Sequence, residues 1–90
     1  MGNIVQTKTH KALQRRIAIL QFIQAYNTRT AFSPTFRDIA RAVHFASIAS
    51  VHSYVNALRA EGYITFNDGQ PRTLALTEKA KQLLNTLEEN

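Results

Sequence analysis

Ninety residues leave room for one domain with a small core and little space for a second. The absence of cysteine excludes disulfides and thiolate metal sites, and no apolar run approaches the ~18 residues of a membrane span. The net charge of +5 is unevenly spread: Lys8, Lys11, Arg15, Arg16, Arg29 and Arg37 all precede the first acidic residue, Asp38, whereas Glu88 and Glu89 lie at the far end. Such asymmetry suggests a polyanionic partner on one face, with a solubilising surface as the alternative. The start, "MGNIVQTKTHK", lacks the apolar centre of a signal peptide. Gln6 stands where N-myristoylation wants Ser or Thr. The expected location is cytoplasmic, on the nucleoid if the polyanion is DNA.

Residues 1–8 read as a flexible tail. From Thr9 to Asn27, Leu13, Ile17, Leu20 and Ile23 recur at spacings of three and four, the stripe of an amphipathic helix. Ile19 and Phe22 widen that stripe, so the helix should be covered on more than one side, although Phe22 also fits a partner surface. The segment "NTRTAFSP" (27–34) is a loop, and Pro34 disfavours helix at Ser33. Thr35 stands three residues before Asp38, an approximate capping box for a second helix over Phe36–Val43. Phe36, Ile39, Ala40 and Val43 should face inward.

The triplet "HFA" (44–46) makes a short turn. Ser47 is a natural N-cap for a third helix, whose buried stripe is Val51, Tyr54, Val55 and Leu58; Gly62 is its expected stop. Tyr63–Phe66 favours strand, "NDGQP" (67–71) carries the Asp68-Gly69 hairpin signal, and Thr73–Leu76 returns. Thr77 then caps a last helix with Ala80, Leu83, Leu84 and Leu87 along one side. The spacing thus predicts a mainly α domain over 9–76, built of three helices and a hairpin, followed by a helix over 77–90.

Two short helices joined by a three-residue turn make a helix-turn-helix, and a hairpin directly after the second makes a wing. In such a fold the second helix of the pair enters the major groove with its N-terminal residues toward base edges. Projected at 100° per residue, Ala49, His52, Ser53, Asn56 and Ala60 cluster outward with Ser50 at the flank. That face is small, polar and free of acid. Small residues let backbone approach DNA, while Ser, His and Asn hydrogen-bond base edges or phosphates. Thr35 and Arg37, at the start of the second helix, are candidate phosphate contacts. Lys11 is a third, and Arg72, the only cation in sequence near the wing turn, is a fourth. Arg41 fits either phosphate or plain solvation.

The stretch "FSPTFRDIARAVHFASIASVHSYVNALRAEGYITFNDGQPRTLAL" (32–76) resembles the N-terminal winged helix-turn-helix domain of the LexA repressors. The resemblance rests on the aromatic-x-Pro entry, "RDIARAV", "ASxxSVH", the Leu-x-x-x-Gly-Tyr-Ile end of the third helix and Pro-Arg after the wing turn. It extends back through "ILQFIQAY" (19–26). It implies double-stranded DNA as partner, transcriptional repression as function, and base reading by Ser47, Ala49, Ser50, His52 and Ser53. Two departures stand out. His44 occupies a turn position where the family usually has Gly, and 90 residues leave no room for the self-cleaving protease domain of those repressors, so a stand-alone DNA-binding domain is expected.

Ser50, His52 and Ser53 have no partnered acid or oxyanion motif, and His44 and His52 lack a third ligand. The sequence therefore carries no expectation of catalysis, metal, cofactor or small-molecule ligand. The competing readings are a protein-interaction winged helix that docks on another regulator, and a phage or plasmid replication factor on the same fold. A single winged module covers few base pairs, so a homodimer is expected. The stripe Ala80, Leu83, Leu84 and Leu87 is the candidate dimer surface; packing against the chain's own first helix is the alternative.

Overall fold

The computed structural model describes residues 3–45, 47–70 and 72–89. Within them the chain forms α1 (Asn3–Thr30), α2 (Phe36–Ala42), α3 (Ile48–Ala60), β1 (Ile64–Thr65), β2 (Ala75–Leu76) and α4 (Glu78–Glu89). The two strands pair antiparallel, Ile64 with Leu76 and Thr65 with Ala75. This is a winged helix-turn-helix with one further helix.

The first helix is longer at both ends than apolar spacing indicates. No glycine or proline interrupts residues 3–33, so helix occupies the positions from Asn3 onward that read as tail; residues 1 and 2 lie outside the described residues. At its other end Ala31 takes the left-handed conformation, φ 64°, and its N–H donates to Asn27 O at 2.8 Å. A helix of 28 residues is about 42 Å long, against 32 and 22 Å for the two shorter dimensions of the domain. Only part of α1 can therefore be covered. Ile19, Leu20 and Ile23 are buried, but Leu13, expected on the same stripe, is 49% exposed.

The capping box of α2 is complete. Asp38 N donates to Thr35 Oγ1 at 3.1 Å, and Thr35 N donates to Asp38 Oδ2 at 3.0 Å. That backbone donor holds the Asp38 carboxyl below its usual range, against an opposing effect of partial burial. Ile39 is buried while Phe36, Ala40 and Val43 pack against the core, as their spacing requires. His44 closes the turn at φ 58°, so the position where the family prefers glycine does need a left-handed backbone. Ala46 lies outside the described residues.

Helix α3 starts on Ser47, whose Oγ accepts from Ser50 N at 3.3 Å. It ends in a Schellman arrangement. Gly62, φ 86°, donates to Arg59 O at 3.0 Å, and Tyr63 N donates to Leu58 O at 2.9 Å. The same corner seats α4. Thr77 Oγ1 donates to Gly62 O and Tyr63 O at 2.7 and 3.1 Å and accepts from Ala80 N at 3.3 Å, while Lys79 Nζ donates to Glu61 O at 2.7 Å.

The core joins Ile19, Leu20 and Ile23 to Ile39, to Val51, Val55 and Leu58, to Ile64 and Leu74, and to Ala80 and Leu84. Of the four residues expected on the dimer surface, Ala80 and Leu84 belong to this core instead. Ala80 and Leu84 are 0% and 1% exposed within a single chain, because α4 packs across α1 and β2 and shields their apolar residues from water. Leu83 is half-buried against the same core, and Leu87 is 38% exposed. Among the described residues no helix is long and apolar enough to cross a membrane.

Candidate nucleic-acid interface

Helix α2 packs against the side of α3, and burial of Val51, Val55 and Leu58 leaves one face of α3 toward solvent. Ser47, Ala49, His52, Ser53 and Asn56 are all exposed on it, and Ser50 is half-exposed at the flank. The face holds no carboxylate. The structure thus brings together all six candidate base-reading residues, but their side chains are not equally free. Ser47 Oγ caps the helix and lies 3.4 Å from Ser50 Oγ, so these two hydroxyls engage each other. His52 packs edge-on against Phe36 with ring centroids 4.6 Å apart, which fixes the ring above the start of α2. Asn56 Oδ1 accepts from Arg59 Nη2 at 3.4 Å, leaving its amide N–H groups as donors.

The cations frame this face unevenly. Arg37 and Arg41 are exposed on α2, and Lys11 is exposed on α1 near the α2–α3 turn. Thr35 is half-buried with its oxygen committed to the capping box, so what it still offers a phosphate is the hydroxyl proton. Arg72 is exposed but also bound within the chain. Its guanidinium Nη1 donates to Ser33 O at 3.0 Å and to Tyr26 Oη at 3.2 Å, so it ties the base of the wing to the loop after α1. The Tyr26 hydroxyl, and behind it Asp38, holds its pKa above the ordinary value. Arg72 also adopts φ 63°.

Sequence spacing missed a second wing cation, Arg59. Its guanidinium lies 3.8 Å from the centre of the Phe66 ring, and Nη1 donates to Phe66 O at 3.4 Å and to Asp68 Oδ1 at 3.2 Å. Arg59 belongs to α3 and the wing begins five residues later, so only the Gly62 reversal brings them together; the aromatic-x-Asp pair Phe66–Asp68 was the available signal. The wing itself is pinned by Thr73, whose Oγ1 accepts from Asn67 N at 2.8 Å and donates to Gln70 O at 3.0 Å. Gly69 takes φ 76° in the turn between Asn67 and Gln70. The strands are two residues each, shorter than expected, because this side-chain network replaces the outer rungs of the hairpin.

Between α3, the start of α2 and the wing lies a cleft of about 330 Å³, lined by Phe36, His52, Asn56, Phe66, Arg72 and Thr73 among others. Phe36 and Phe66 meet edge to face on its floor, 5.4 Å between centroids. Among the described residues no polar side chain is buried and no group of His, Asp or Glu is placed to hold a metal.

Two short packed helices, the second with an exposed acid-free face, and a pinned hairpin directly after them define a winged helix-turn-helix domain. Its particular family follows from comparison: the profile of the LexA DNA binding domain matches residues 10–73, and the chain belongs to that family. It is 34% identical over 76 residues to the LexA repressor of Lactobacillus johnsonii, covering 84% of this chain and 37% of the relative. The LexA repressors of Clostridioides difficile and Clavibacter sepedonicus are 32% and 36% identical over 68 and 69 residues, each alignment covering 76% of this chain. The chain spans about a third of the length of these relatives.

Proposed function

We propose that this protein is a sequence-specific double-stranded DNA-binding transcriptional repressor that inserts α3 into the major groove. The observation that carries the reading is the exposed, acid-free face of α3 through Ser47, Ala49, His52, Ser53 and Asn56. His52 and Asn56 hold the most base-reading capacity, because both are exposed and keep donors. Arg37, Arg41 and Lys11 serve the phosphates. Arg59 and Arg72 position the wing, and each retains N–H groups for a passing strand. Two copies on adjacent half-sites supply the length of contact that one module lacks; since Ala80 and Leu84 belong to the core, α4 contributes at most Leu83 and Leu87 to pairing.

Selection of bound duplexes from random sequence, followed by titration at several salt concentrations, tests this. A recurring site should emerge, with log affinity falling linearly against log salt by about 0.9 per phosphate neutralised. His52→Ala and Asn56→Ala should each relax discrimination at one base pair by about 1–3 kcal/mol. Recovery of no common sequence, or an affinity flat in salt, would refute the proposal.

A further inference from the structure

Ile48 is the first residue of α3 and is 42% exposed, one of few large apolar side chains at the surface of the described residues. It stands where a recognition helix goes deepest, with exposed Ala49 after it and exposed His52 one turn on. The hydroxyls that flank it are the two engaged with each other in the N-cap, Ser47 Oγ and Ser50 Oγ. That pair still keeps one hydroxyl proton and spare lone pairs, but what Ile48 and the Ala49 methyl add at the tip of the helix is hydrocarbon. Isoleucine is not needed there to start the helix, since Ser47 does that and a first-turn position favours polar or proline residues. Nor does it join the core, which begins at Val51.

The major groove offers one apolar feature to such a tip, the C5-methyl group of thymine. We infer that Ile48 reads a thymine methyl, so that part of this protein's sequence preference is carried by hydrocarbon contact rather than by hydrogen bonds. The inference rests on the major-groove reading of α3 above. On that reading the methyl is buried between Ile48 and the neighbouring base, and an adenine–thymine pair is distinguished from its reverse by which strand bears the methyl.

Uracil differs from thymine only by that methyl, which gives a direct test. In a duplex recovered by selection, each thymine is replaced singly by uracil and the affinity of the wild-type chain and of Ile48→Ala is measured. Removing one buried methyl should weaken the wild type about fourfold at one or two positions. Ile48→Ala should bind the all-thymine duplex more weakly by a similar factor and be indifferent to uracil at those positions, while Ile48→Val retains part of the sensitivity. His52→Ala, in contrast, should keep the full uracil effect. A wild type that binds its selected duplex specifically but ignores every uracil, or an Ile48→Ala variant with the wild-type uracil profile, would overturn the assignment while leaving DNA recognition standing. Failure to select any duplex would overturn the major-groove reading itself, and this inference with it.

Discussion

Replacing Leu84 by alanine separates the two roles that the apolar side of α4 can have. Leu84 is 1% exposed and sits with Ala80 against the residues of α1. Truncating a leucine in such a place costs about 2–5 kcal/mol, transfer and cavity together. A domain of this size has about 5–13 kcal/mol of total stability, so the loss is a large fraction of the whole. With an unfolding entropy near 2.1 cal/mol/K per residue, 3 kcal/mol lowers Tm by roughly 15 °C. Leu87, 38% exposed, should lose less than about 1 kcal/mol on the same change. Circular dichroism melts at two protein concentrations a hundredfold apart decide the matter. The expected result is a large drop in Tm for Leu84→Ala, a small one for Leu87→Ala, and no dependence on concentration for the Leu84 effect. A Leu84→Ala variant that melts within 2 or 3 °C of the wild type (about 0.5 kcal/mol) would refute the core assignment. So would a deficit that appears only at high concentration, where an interface and not a core would have been lost.

Two further expectations concern the backbone and pH. Ala31 and His44 both hold left-handed φ values, 64° and 58°; glycine at either should raise stability by about 0.5–1 kcal/mol where relief of strain exceeds its entropy cost, more at Ala31 because histidine tolerates that region better, and denaturant midpoints at constant slope would show it. The Asp38 carboxyl has a lowered pKa in the folded chain, so its stabilising contribution is present above the unfolded value near 4 and disappears as pH falls through the folded value. Asp38→Asn should therefore be less stable than wild type at pH 6–7, with the gap closing in acid; a gap that widens on acidification would contradict the capping-box origin.

Local signals were legible in the sequence and nonlocal ones were not. Thr35 with Asp38, Ser47, and Gly62 each act within four residues, so residue type and spacing alone located the ends of α2 and α3. The outward face of α3 followed from the same periodicity. A stripe of leucines, however, says that a face is covered without saying by what, so the packing of α4 on α1 is not legible in the sequence. Leu13 shows the complementary limit: a helical stripe continues past the point where its neighbours end. Arg72 reaches partners 39 and 46 residues away, and Arg59 meets Phe66 and Asp68 only after the chain reverses at Gly62. No local window contains the Arg72 pairs, and neither helical nor strand periodicity relates Arg59 to the wing. An isoleucine ordinarily signals an interior position, so residue type does not mark Ile48 as exposed.

The tethered wing has a kinetic consequence. Nine residues separate the paired strand positions Thr65 and Ala75, a length at which an exposed loop would ordinarily sample many shapes. Here Thr73 holds the turn from inside, Arg59 holds its outer limb to α3, and Arg72 anchors its return to Ser33 and Tyr26. Encounter with a duplex then requires little ordering of these tethered residues, and little conformational entropy is lost at them on docking. Association should run at a rate set by diffusion, orientation and charge, so that sites of different sequence differ in residence time far more than in the speed of capture.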